Sequence, residues 1–83
     1  MALVIPPDVL KQLAGLPKAD RQRLLTALET VAAQPTVRFP FVTEMVGEKG
    51  VWRLRKGDWR AIFRIRGTDV VLDRVAHRRE VCR

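Results

Sequence analysis

The spacing of apolar residues changes along this chain, and each change predicts a different kind of element. Residues 3–5 (LVI) form a short apolar run that is typical of a strand. Between Pro7 and Gln34 the apolar residues recur at helical spacing, and from Val51 onward they alternate with polar residues, as in strands. The pattern predicts an α+β fold with a short N-terminal strand, a helical hairpin and then an antiparallel β-meander.

Capping signals agree with the two predicted helices. Pro7 and Asp8 suit a first helical turn, because the missing proline N–H needs no partner there and the carboxylate complements the helix N-terminus. Gly15 is expected to close this helix in the left-handed conformation. The second helix should span about residues 18–34 and end at Pro35, and the short link predicts an antiparallel pair. The apolar stripes assigned to the core are Val9, Leu10, Leu13 and Ala14, then Leu24, Leu25, Leu28, Val31 and Ala32.

Alternation with a period of two predicts three consecutive strands after residue 50. Turns at residues 56–58 and 67–69, each with a glycine, separate them. Residues 36–50 are less distinct and fit either a strand or a packed loop. We assign residues 1–83 to one domain, because a chain of 83 residues has room for a single small core.

The net charge of +7 is unevenly distributed. Residues 51–83 contain ten Lys/Arg and four Asp/Glu, whereas residues 1–50 contain six and five. Overall basicity is only a weak guide to a partner and also fits an arginine-rich surface. Its concentration in one half of the chain favours an anionic partner.

Strand alternation places the arginines together. Arg53 and Arg55 should share one face of their strand, and Arg60, Arg64 and Arg66 should share one face of the next. If the helices cover the opposite face, the arginines are free to bind phosphate, which guanidinium groups contact through two parallel hydrogen bonds. Singly, each arginine would be an ordinary solvated residue, and Arg60 is expected to lie exposed on its strand. The opposite face carries both tryptophans, which we assign to the core rather than to base stacking.

Residue types narrow the possible chemistry. One cysteine and one histidine exclude an intrachain disulfide and argue against a zinc site, and no motif indicates a metal or another cofactor. No segment approaches the ~20 apolar residues of a membrane helix, and the start lacks a basic leader, so a cytoplasmic protein is expected. The basic tail, residues 77–83, either frays or folds back over the arginines. His77 and Glu80 are the candidates for proton transfer.

Two motifs carry a resemblance to a known family. Residues 51–65 read VWRLRKGDWRAIFRI and resemble Y-R-L-R-x-G-D-Y-R-V-I-Y-x-I, with Trp52, Trp59 and Phe63 in place of tyrosines. Residues 74–81 read RVAHRREV and are similar to R-V-G-H-R-R-E-V-Y. Both motifs are typical of the RelE/ParE toxin superfamily, whose helical hairpin also matches the N-terminal part, so that the resemblance covers nearly the whole chain.

The resemblance implies a function as well as a fold. The RelE branch consists of toxins that cut mRNA in the ribosomal A site without metal, by promoting attack of a 2′-hydroxyl on the neighbouring phosphate. Its members are neutralised by a cognate antitoxin. The expectation is therefore a metal-independent endoribonuclease without cofactors, with an antitoxin, the ribosome and mRNA as partners. The alternatives are a ParE-like toxin that binds a protein target such as DNA gyrase, and an inactive RNA-binding homologue.

The resemblance also implies the site residues. Arg60 falls on the family's active-site arginine, and the C-terminal arginine is Arg78, or Arg79 one position later. The expected catalytic residues are Arg53, Arg55, Arg60 and Arg78. The expected RNA-binding residues are Arg64, Arg66, His77, Arg79 and Cys82. Cys82 stands where the family has an active-site tyrosine, and this chain contains no tyrosine.

Overall fold

The computed structural model describes residues 2–34, 39–44, 47 and 50–81. Along the chain, two helices follow the first strand and precede the other four strands, as predicted. The elements are β1 (Ala2–Val4), α1 (Pro7–Ala14), α2 (Lys18–Ala33), β2 (Val42–Glu44), β3 (Val51–Lys56), β4 (Trp59–Arg66), β5 (Asp69–His77) and α3 (Arg78–Val81). None of the described helices has the length and apolar character needed to cross a membrane.

Both helices of the hairpin begin next to proline. Pro7 opens α1, and the carbonyl of Pro6 accepts the Leu10 amide at 2.9 Å. The prediction that Gly15 is left-handed is wrong: its φ is −79°, and its amide instead bonds back to carbonyls of the last helical turn. A tight right-handed turn is sufficient here because α2 starts only a few residues later, at Lys18.

The sheet is mixed and has the strand order β1-β5-β4-β3-β2. The three central strands form the predicted antiparallel meander, with Gly57 and Gly67 at positive φ in its turns. β1 pairs in parallel with β5 at one edge. β2 pairs with β3 at the other edge, so part of the indistinct segment is a strand. The predicted fold class is confirmed.

The core lies between the helices and one face of the sheet. Leu13, Leu24 and Leu28 of the helices meet Leu54 and Phe63 of the sheet, and all five side chains are at most 1% exposed. Both tryptophans pack against this cluster, partly buried, as predicted. Placing Leu10 and Ala14 in the core was wrong, because both face solvent and Leu10 is 57% exposed. The short α1 buries only the narrow stripe of Val9 and Leu13.

A β-bulge interrupts β5. Ile62 pairs with Arg74, whereas the next residue, Phe63, pairs with Leu72, so that Asp73 is an extra residue. The bulge shifts the alternation of β5 by one position. As a result Arg74, which strict alternation would turn toward the helices, lies in register with Ile62 on the opposite side of the sheet.

Candidate nucleic-acid interface

The sheet face opposite the helices is lined with arginine. Cross-strand pairing arranges it in rows, with Arg55 opposite Arg60 and, one row further, Arg53 and Arg74 flanking Ile62. Rows two residues apart are separated by about 6.6 Å along the strands. We call this the arginine face; its arginines are Arg53, Arg55, Arg60, Arg64, Arg66 and Arg74. The structure thus brings together five arginines that the sequence singles out.

Arg74 is a member that sequence analysis did not include. Its place on this face depends on the bulge at Asp73, and a regular alternation of side chains does not reveal a bulge. The only sequence signal is the polar pair Asp73-Arg74, which interrupts a strand that is otherwise mostly apolar between residues 70 and 76.

Arg60 is buried rather than exposed, with 9% of its surface accessible. Its Nη1 donates hydrogen bonds to the carbonyls of Gly57 and Trp59, both at 3.0 Å. The guanidinium group therefore folds back onto the β3–β4 turn. The expectation that Arg60 lies exposed on the strand is wrong, because alternation assigns a face but does not indicate where a long side chain ends.

A shallow pocket of about 380 Å³ lies at this end of the arginine face. We call it the arginine pocket; it is lined by Pro40, Phe41, Arg55, Gly57 and Arg60. The Arg55 side chain is exposed and makes no hydrogen bond or ion pair with the described residues. The Nε atoms of Arg53 and Arg60 are buried and have no hydrogen-bond partner among these residues. Such unpaired donors are unusual in native structures.

The β3–β4 turn, which contributes Gly57 to this pocket, also binds a further arginine. The Asp58 carbonyl accepts the Arg78 amide at 2.7 Å, and Asp58 Oδ1 lies 3.6 Å from Arg78 Nε. Consecutive carbonyls of one turn, from Gly57 and Asp58, thus bind Arg60 and Arg78. Three expected catalytic residues, Arg55, Arg60 and Arg78, meet around this turn.

The far end of the arginine face differs because an acidic residue intervenes. Arg64 Nε donates to Asp73 Oδ2 at 2.6 Å, which balances the charge of the arginine. An open pocket of about 440 Å³ lies here, between Gly50 and the side chains of Arg64, Arg66 and Asp73. Arg66 is exposed, so it is the more available cation at this end.

The structure does not bring His77 to the arginine face. His77 pairs with Trp59, whose side chain points toward α2 and donates to Asp20 at 3.1 Å. The two rings meet edge to face at 5.3 Å, and His77 Nδ1 accepts the Arg79 amide at 3.3 Å. The Arg79 side chain is exposed. Cys82 and the side chain of Glu80 lie outside the described residues.

Comparison with known proteins agrees with the fold and the motifs. A family profile described as "ParE toxin of type II toxin-antitoxin system, parDE" matches residues 3–82. No curated protein sequence matches significantly.

Several solved structures share the fold. The RelB-RelE antitoxin-toxin complex from Methanococcus jannaschii aligns with a TM-score of 0.79 at 19% identity, over 95% of this chain and 94% of that one. The archaeal RelE-RelB complex from Pyrococcus horikoshii OT3 gives 0.77 at 27% identity, over 93% of both chains. The isolated E. coli RelE toxin aligns with a TM-score of 0.78 at 16% identity, over 92% of this chain and 82% of that one. The chain therefore belongs to the RelE/ParE toxin superfamily and is a toxin of a type II toxin–antitoxin system.

Proposed function

We propose that this toxin is a ribosome-dependent mRNA endonuclease that inhibits translation in the cytoplasm, with all 83 residues forming one toxin domain. The observation that carries the proposal is the arginine pocket, where Arg55 and Arg60 line an open concavity beside the turn that holds Arg78. A concave site that is rich in guanidinium groups suits the phosphate of a polynucleotide.

The positions of these arginines fit the charge changes of RNA cleavage. Attack of a 2′-hydroxyl on the adjacent phosphate builds negative charge on the phosphoryl oxygens, which fixed donors stabilise. Both N–H groups of Arg60 Nη1 are occupied by the turn, so the donors of Nη2 remain for a phosphate oxygen. Because the turn already holds this guanidinium group, binding a phosphate costs little additional side-chain ordering.

RNA cleavage also requires a group that accepts and a group that donates a proton. Neither an acidic residue nor a histidine lines the arginine pocket within the described part of the chain, and His77 faces the helices. Arginine stays protonated in proteins and is a poor general base. We therefore propose that the ribosome supplies proton transfer while the toxin supplies positioning and positive charge, without a metal or another cofactor.

Inhibition by a cognate antitoxin is the second part of the proposal. The similar structures from Methanococcus jannaschii and Pyrococcus horikoshii OT3 are complexes of RelE with RelB. The net charge of +7 favours a partner that is acidic where it contacts the toxin.

Mapping of mRNA ends tests the nuclease proposal. The toxin is expressed briefly in cells, and new 5′ ends are mapped on ribosome-bound mRNA. We expect cuts with codon periodicity for the wild type and for Arg23→Ala, which removes an exposed arginine from α2, and far fewer for Arg55→Ala. A folded, soluble wild-type protein that produces no such cuts would show that the nuclease proposal is wrong.

The family match favours a second candidate, a toxin that binds a protein target such as DNA gyrase, because the matching profile is that of ParE. Toxicity of the double variant Arg55→Ala/Arg78→Ala separates the two, since both side chains are exposed and neither contributes to the core. Survival of toxicity favours the protein target. An inactive RNA-binding homologue would instead bind RNA without cutting it, with a salt-dependence slope of about −0.7 per phosphate contacted.

A further inference from the structure

Asp58 is an acidic residue in direct contact with the candidate site. Its main-chain oxygen accepts the Arg78 amide at 2.7 Å, and its carboxylate lies 3.6 Å from the Arg78 guanidinium group. The neighbouring carbonyl, that of Gly57, accepts a hydrogen bond from Arg60. One turn therefore positions two arginines and balances the charge of one of them.

We propose that Asp58 is a positioning residue of the anion site. Its carbonyl places Arg78 beside the arginine pocket, and its carboxylate holds the Arg78 guanidinium group until a phosphate of RNA takes its place. The inference rests on the proposed RNA function and adds a residue to it. Carboxylate and phosphate oxygens are equivalent acceptors for guanidinium, so the exchange replaces one charge-assisted contact with another.

The geometry of the pair permits this exchange. The side chains of Arg78 and Asp58 are 56% and 63% exposed, and 3.6 Å is the separation of a loose ion pair rather than a hydrogen bond. Exposed pairs of this kind contribute little to stability. The hydrogen bond between the main chains is short and independent of the carboxylate, so Arg78 stays in place when the ion pair opens.

Asp73, another aspartate on this side of the sheet, behaves differently. Asp73 contacts Arg64 directly at 2.6 Å, and the side chains are 54% (Arg64) and 36% (Asp73) exposed. Asp58 thus forms the looser of the two pairs, and it lies at the end of the sheet that carries the arginine pocket.

Binding of a fluorescently labelled single-stranded oligouridylate by the purified chain tests the proposal. Asp58→Asn retains the carbonyl and removes the charge, and we expect it to tighten binding about two- to fivefold at low salt. Asp58→Ser, which also lacks a carboxylate, should behave alike, and Asp58→Glu should resemble the wild type. In an Arg78→Ala background Asp58→Asn should have no effect, and Arg78→Ala alone should reduce the salt-dependence slope by about 0.7.

Glu29→Gln is the matched control. It makes the same change of charge at an exposed residue of α2, on the side of the sheet opposite the arginine face. Equal tightening by Glu29→Gln, or tightening by Asp58→Asn that persists without Arg78, would reveal a general charge effect and overturn the role of Asp58. An unchanged affinity in Asp58→Asn would overturn it too. Failure of the wild type and of every variant to bind the oligonucleotide would refute the RNA function itself.

Discussion

Replacement of Arg60 by alanine separates the structural role of this residue from its proposed catalytic role. The substitution removes two hydrogen bonds from a charged donor to the carbonyls of Gly57 and Trp59, together with a side chain that is only 9% exposed. Hydrogen bonds to charged groups contribute about 1.5–3 kcal/mol each. Because water can reach the turn and partly replace the lost donors, we expect a total loss at or somewhat below twice the lower value, about 2–3 kcal/mol.

For a domain of this size such a loss lowers Tm by about 10–20 °C. The measurement is thermal unfolding followed by circular dichroism, with Arg55→Ala as the matched control. Arg55 lies opposite Arg60 in the register, but its side chain is exposed, so its removal should change stability by less than about 0.5 kcal/mol. If the two variants unfold at the same temperature, the reasoning that Arg60 clamps the turn is refuted.

The same two variants report on catalysis when they are assayed well below their Tm. Removal of a fixed donor to a developing oxyanion typically reduces the rate about 10²–10³-fold. Arg55→Ala should show such a loss in mRNA cleavage without loss of stability, whereas Arg60→Ala should show both. Arg60→Lys should recover part of the activity, because it keeps the charge but loses the planar fork. Cleavage by Arg55→Ala within about twofold of the wild type would argue against a catalytic contact.

Other substitutions test individual features of the fold. Gly57→Ala should destabilise the protein by about 1–2 kcal/mol, because φ is +59° and a residue with a Cβ is strained there. The added Cβ meets no atom within 4 Å, so strain is the whole effect, and a denaturant titration should show a lower midpoint with an unchanged m-value. Asp73→Asn should cost at most about 1 kcal/mol in the same titration. It should tighten RNA binding by removing a negative charge beside Arg64, whereas weaker binding would contradict the assigned balance of charge. Gln12→Ala should lower the free energy of unfolding by about 1 kcal/mol, because the Val75 amide loses the side-chain oxygen that accepts its hydrogen bond at 2.9 Å. Hydrogen exchange of the Val75 amide should accelerate, and unchanged protection there would contradict this assignment.

The spacing of apolar residues predicted the elements of this fold, because side chains repeat on one face every 3.6 residues in a helix and every second residue in a strand. Helical spacing identified α1 and α2, and alternation identified β3, β4 and β5. The errors lie where tertiary packing decides. Leu10 is apolar, but it lies about 100° around α1 from the buried Val9 and faces solvent. Gly15 does not need a left-handed cap because the chain turns directly into α2.

The candidate site was predictable as a cluster of arginines but not as a geometry. Alternation assigned Arg53, Arg55 and Arg60 to one face, and pairing confirmed that they are neighbours. It did not reveal that the Arg60 guanidinium group bonds to the β3–β4 turn, because a long side chain can place its guanidinium group in many positions. It also did not include Arg74, because the bulge depends on the fit between β4 and β5 rather than on either strand alone.

The parallel pairing of β1 with β5 has a consequence for the time at which the toxin acquires its activity. Leu3 and Val70 are neighbours in the sheet although nearly the whole chain separates them. Closing so long a loop is slow compared with forming local contacts, and it cannot occur before β5 has been synthesised. A nascent chain therefore has its first strand unpaired and its arginine face unassembled until Asp69–His77 has been synthesised. The toxin domain is complete only at the end of synthesis, and a chain that terminates before Asp69 cannot complete this sheet.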